Sequence, residues 1–295
     1  MQISPVFILL VLMVLAIGLP VISQKLSWPH LNIGARWARW VLFSALFAQF
    51  LEGAAWSMRP LWVHLLIGCG SWILLETSYN WIIIRALSQS PLPLFPSFRK
   101  NTDGDEWPAE KRYLYLKDWL RENDFKQIAV LKAELLTETF LRTSIYQSGD
   151  VLTRIHILFM PGRKNATNAF YTFNSLDKNG QRLITDNHHL PFGGYYPESW
   201  NHQRKPLIGS INRLHQFHRK RLKKFRLKPI CFPEDAVEEL NSQQKQLEHL
   251  NLQNGILVPL SRQEEEGKLT QEGCYHVWKE MWLLGYLGFV SSRTK

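Results

Sequence analysis

The sequence predicts an α+β protein. A three-helix transmembrane region leads into a cytoplasmic domain with a roughly four-stranded antiparallel sheet and flanking helices. Three observations carry this reading. Apolar stretches with few charges crowd residues 1–85 of the 295-residue chain. Side chains alternate along about 151–159, and turn residues at 148–150 and 177–180 mark two hairpins. Helical stripes with capping residues lie on either side of that alternation.

The first predicted helix, about 5–23, carries no charged side chain from Pro5 to Ser23. At 1.5 Å per residue it measures about 28 Å, close to a hydrocarbon core of roughly 30 Å. Met1–Ser4 has no Lys or Arg, so the segment reads as an anchor and not as a cleaved signal. The second and third predicted spans are about 40–58 and 61–84, joined by Arg59-Pro60. Trp37, Trp40, Trp56 and Trp62 mark their ends, as in an interfacial belt. Lys25, Arg36, Arg39, Arg85, Arg99 and Lys100 would share one side of the bilayer, opposite Arg59 alone. The positive-inside rule then places the N-terminus outside and the C-terminal domain in the cytoplasm, at a plasma or inner membrane.

Four polar residues stand out within these spans: Glu52, His64, Glu76 and Asn80. Intramembrane carboxylates face protein or water, so interhelical hydrogen bonding is the first expectation and a proton or ion path the second. By helix rise, Glu52 should sit about 9 Å and Glu76 about 22 Å from the outer helix ends, too far apart to pair. His64 could approach Glu52, and Asn80 stands one turn from Glu76. Gly68-Cys69-Gly70 permits close helix approach and offers a route to a homo-oligomer, although it is not a GxxxG motif.

Residues 86–109 read as a linker, because Pro91, Pro93, Pro96 and Pro108 forbid a regular helix. The domain 110–295 opens with a helix over Glu110–Asn123, whose stripe is Tyr113, Leu116, Trp119 and Leu120. Ile128–Leu136 is ambiguous between helix and strand. Val151, Thr153, Ile155, Ile157 and Phe159 share a strand face, with Arg154 and His156 on the other. Ser148-Gly149-Asp150 reads as the turn from its partner strand, about 138–147. Asn179-Gly180 marks a second hairpin, joining 169–176 to 181–186. Residues 187–205 read as an irregular loop with His188, His189, Tyr195, Tyr196, Trp200 and His202.

The sharpest feature is a predicted helix over Ser210–Lys228. Arg213, Arg219, Lys220, Arg221, Lys223, Lys224, Arg226 and Lys228 are its basic residues, with no acid among them. Docking on anionic lipid headgroups of the inner leaflet is one expectation, since each basic residue near such a surface contributes about 1 kcal/mol. Neutralisation is the other, by the acidic helix 234–253 folding back as a hairpin. The chain's charge of +10 also admits nucleic acid, but no recognisable module supports it. The tail 270–289 reads as an apolar helix whose uninterrupted apolar run is too short to span.

No catalytic constellation, cofactor or metal site is expected. Three cysteines, Cys69, Cys231 and Cys274, exclude a disulfide-stapled scaffold and a four-cysteine zinc site. His188, His189, His202, His215, His218 and Cys231 lack a zinc motif, and Cys274 with His276 is too local for a dyad. Asn165-Ala166-Thr167 matches a glycosylation sequon that a cytoplasmic location would leave unused. The function expected is therefore a membrane-anchored interaction or regulatory module that binds the bilayer and a protein partner. The alternatives are a tethered hydrolase or transferase using the 187–205 loop, and a transporter subunit using Glu52 and Glu76.

Overall fold

The computed structural model describes residues 5–26, 29–54, 58–104, 107–108, 110–136, 139–161, 167–232 and 235–290. Trp56, Glu234 and the Asn165 sequon lie outside these. The chain runs through α1 (Pro5–Leu26), α2 (Pro29–Gly53), α3 (Leu61–Gln89), β1 (Arg99–Lys100), α4 (Arg112–Glu122) and β2 (Phe125–Leu136). It continues through β3 (Thr139–Ser148), β4 (Arg154–Pro161), β5 (Thr167–Asp177), β6 (Arg182–Asp186) and β7 (Trp200–Arg204). Then come α5 (Ile211–Lys224), β8 (Pro229–Ile230), α6 (Ala236–Gln253), α7 (Gln263–Glu266) and α8 (Gln271–Trp282), which ends in a π-helical turn, Leu283–Leu287. Two compact units result: a helical unit of 1–87, 191–193 and 274–289, and a sheet unit of 88–190 and 194–273 with the C-terminal residues.

The helical unit corrects the expectation of three transmembrane spans. Among the described residues α3 alone is long and apolar enough to cross a membrane. The apolar stretch of α1 among the described residues, Phe7–Ser23, is shorter. The predicted second span fails because α2 stops at Gly53. From Trp40 it offers only about 21 Å of helix, and its earlier turns carry Arg36 and Arg39. Gly68 of α3 lies against α2, and a Cβ there would fall 2.8 Å from the Ser44 carbonyl oxygen. The apolar tail also joins this unit, where Trp37 Nε1 donates to the Tyr286 carbonyl at 2.9 Å.

The sheet unit corrects the second expectation. Among the described residues the sheet has eight strands and is mixed, in the order β1-β2-β3-β4-β5-β6-β7, with β8 paired off this path to β5. β3, β4, β5 and β6 correspond to the four predicted strands. The ambiguous 128–136 segment is β2, and the supposed loop 187–205 contains β7, which runs parallel to β6. A parallel neighbour needs a crossover and not a tight turn, so no hairpin signal announced it. The Asn179-Gly180 turn does form, with Gly180 at φ +76 as such a turn requires.

Alternation divides the sheet into two faces. Ile155, Ile157 and Phe159 of β4 and Phe173 of β5 pack with Tyr113, Leu116, Trp119 and Leu120 of α4 and with Ile211 and Leu214 of α5. On the opposite face, Leu131 and Ala133 of β2 and Leu141 and Ile145 of β3 pack with Ala236 and Leu240 of α6. The basic helix α5 and the acidic helix α6 therefore lie on opposite sides of the sheet. The predicted hairpin between them does not form, because each has its own apolar stripe to bury against strands.

Candidate functional site

The stripe that seats α5 on the sheet is only half apolar: Ile211, Leu214, His218 and Arg221 are its buried residues. His218 lies over β5 and β6, its Nε2 3.2 Å from Ser175 Oγ and its Nδ1 2.9 Å from Thr185 Oγ1. Burial, reinforced by Arg221 and His215, pushes its pKa down to about 3. Arg221 Nη1 donates to the Ile184 carbonyl and to Thr185 Oγ1, both at 2.5 Å. Its Nη2 donates to the Asn201 carbonyl at 2.8 Å and to Asn201 Oδ1 at 2.6 Å. Arg221 is thus a structural residue that spans β6 and β7, although the sequence grouped it with surface cations.

The other seven members of the basic set, Arg213, Arg219, Lys220, Lys223, Lys224, Arg226 and Lys228, are exposed. Among the described residues none of them forms an ion pair. Phe225 caps the helix beside them and is 49% exposed. The arrangement is a cationic end of a helix with one uncovered aromatic ring.

A second constellation was not legible in the sequence. Strand register aligns His156, Thr172, Asp186 and Arg204 in one row across β4, β5, β6 and β7. The same row continues through Ile145 to Ala129, so it turns from apolar to polar halfway across the sheet. Asp186 Oδ2 lies 2.5 Å from His202 Nε2, and its Oδ1 accepts from the His188 backbone N–H at 3.0 Å. Burial opposes ionisation of Asp186, but His188, His202 and Arg204 outweigh it and hold the carboxyl below the usual range. Burial also pushes His156 down to about 4, leaving a neutral imidazole. Two residues along, Arg154 and Asn174 meet across β4 and β5. There Glu239 of α6 accepts hydrogen bonds from Arg154, Arg182, Asn174 and Gln243. The available signal was the parity of Arg154 and His156 on β4, but pairing them with Asn174 and Thr172 requires the register.

The four polar residues expected within the spans separate. Glu52 is exposed one residue from the end of α2, not deep within a helix. His64 is buried, and neither ring nitrogen has a partner among the described residues. Glu76 does not engage Asn80; Arg36 Nε donates to its Oε1 at 2.7 Å, and the Tyr286 hydroxyl donates to its Oε2. Asn80 is buried, with Nδ2 unpartnered among the described residues. The histidines considered for zinc are dispersed: His215 stacks on Phe173, His218 bonds Thr185, and His202 pairs with Asp186. Among the described residues no three His, Cys, Asp or Glu side chains are placed to hold a metal ion.

Geometry defines a class: a helical unit with one long, uncovered apolar helix, joined to a three-layered α+β unit with a cationic helix end. Compared with family models, curated proteins and solved structures, the chain matches none.

Proposed function

We propose that the chain is a membrane-anchored binding protein. In this reading α3 holds it in the bilayer, and the sheet unit serves on the cytoplasmic side as an interaction or regulatory module for a protein partner. The observation that carries the reading is the surface of α3. Only 11% of its most apolar 18-residue window is buried. Leu66, Leu74 and Ile82 are 62%, 70% and 67% exposed. Uncovered apolar surface on this scale needs lipid or protein against it. The one acid within α3, Glu76, is paired with Arg36, as an intramembrane carboxylate requires. Counted within about 20 residues of the ends of α3, Arg85, Arg99 and Lys100 lie on its C-terminal side and Arg59 alone on the other, which favours a cytoplasmic C-terminal side.

The test combines alkaline carbonate extraction with cysteine labelling. Gln2→Cys and Val290→Cys are made singly in a chain lacking Cys69, Cys231 and Cys274. An impermeant maleimide is then applied to intact cells. Retention in the membrane pellet and labelling at 2 but not 290 are expected. Release by carbonate would overturn the anchor, and labelling at 290 would overturn the orientation.

A further inference from the structure

We propose that the cationic end of α5 is a docking tip for anionic phospholipid headgroups, with Phe225 as its apolar anchor. This names a partner for the anchored module and rests on that reading. Three structural features support it.

The first is uncompensated charge. Six exposed cations, Arg219, Lys220, Lys223, Lys224, Arg226 and Lys228, lie in the last turns of α5 or just beyond it. The acidic helix that could have neutralised them is on the far side of the sheet, where its Glu239 is consumed by Arg154 and Arg182. The surface is left complementary to a dense anionic one.

The second is the ring. Phe225 is 49% exposed, and Lys224 Nζ lies 5.9 Å from its centroid. An aromatic ring within a collar of lysine and arginine matches the boundary between acyl chains and headgroups, where the ring enters and the cations stay at phosphate level. A nucleic-acid backbone would match the cations alone. The ring and the apolar surface of α3 both favour lipid.

The third is rigidity. Arg226 takes a left-handed φ of +50, so the chain turns sharply just past Phe225. On the buried side His218 and Arg221 fasten the same helix to β5, β6 and β7. The tip is therefore presented by a fixed scaffold, and little ordering is needed when it docks.

Cys231 is an exposed thiol three positions past Lys228 and serves as a native reporter. The full chain is placed in nanodiscs of phosphatidylcholine alone, or with about one-third phosphatidylglycerol. Maleimide labelling at Cys231 is followed by peptide mass spectrometry. Labelling should be at least about five-fold slower in the anionic discs, since a single basic residue at such a surface already supplies that factor. Protection should vanish at about 0.5 M salt, where the screening length falls to roughly 4 Å. It should vanish equally in the R219E/K220E/K223E/K224E variant, whose fold is checked by circular dichroism. Phe225→Ala should weaken it in anionic discs.

Equal labelling in both discs would overturn the docking. So would protection by a single-stranded RNA in place of the anionic discs, which would assign the tip to nucleic acid. A chain that does not enter discs would overturn the anchor instead. Cosedimentation with preformed anionic vesicles then reads the docking by itself, and no cosedimentation would overturn that too.

Discussion

The Nδ1 atom of His218 lies 2.9 Å from the hydroxyl of Thr185, so the helix carrying the chain's densest positive charge is held to the sheet by a neutral imidazole. Folded, His218 titrates near about 3; unfolded, it titrates near 6.5. Between these values the unfolded chain binds the extra proton. The His218 contribution is therefore complete above about pH 6.5 and is lost as the pH falls toward 3. His156, pushed to about 4 by burial, adds in the same direction. Denaturant unfolding of the detergent-solubilised chain should show stability falling by a few kcal/mol, in order of magnitude, between pH 7 and pH 4.5. His218→Gln should flatten that slope. An unchanged slope would remove His218 from the account.

Glu239 concentrates the second prediction. Its carboxylate is 1% exposed on the side chain and serves two arginines. Glu239→Ala removes the buried carboxylate that Arg154 and Arg182 share, and should lower unfolding stability by about 3–5 kcal/mol. Replacing all three by leucine should recover part of the loss, because the buried charges go together with their desolvation cost. Chemical denaturation of wild type and the two variants checks both statements.

Arg221 should behave unlike its sequence neighbours. Arg221→Ala abandons acceptors on Ile184, Thr185 and Asn201, and should destabilise by about 2–3 kcal/mol. Lys223→Ala and Lys224→Ala, both exposed, should stay within about 0.5 kcal/mol. Thermal midpoints of the three variants decide this, and a K224A effect as large as R221A would contradict the geometry.

In the helical unit, Arg36 and Glu76 form a pair whose side chains are 20% and 12% exposed. Glu76→Ala should cost about 2–4 kcal/mol by leaving Arg36 unpaired. The swap R36E/E76R should regain part of it. Thermal aggregation in detergent, measured on wild type, single and swapped chains, reads the difference. Equal loss in the swap and the single variant would show that Glu76 acts through Tyr286 and not Arg36.

Much of the secondary structure was legible because it is written in local patterns. The stripe Tyr113, Leu116, Trp119 and Leu120 has the period of a helix, and α4 buries it. Asn179-Gly180 demands a positive φ that glycine supplies. The cationic run of α5 could be read directly. Span number was misread because apolar composition was extended past Gly53, where α2 ends. β7 was missed because a parallel strand five residues long inside an aromatic loop carries no turn signal of its own.

Local patterns thus assigned α4, α5, α6, the two hairpins and the charge of α5, since each depends on residues within a few positions of one another. Periodicity says that a side chain has a face, but not what stands opposite it. Register placed His156, Thr172, Asp186 and Arg204 in one row. Packing sent α5 and α6 to opposite faces, buried Arg221 and left its neighbours in solvent. Whether a charge is buried or exposed depends on partners distant in the chain, and here those partners are Asn201 for Arg221 and Arg154 and Arg182 for Glu239.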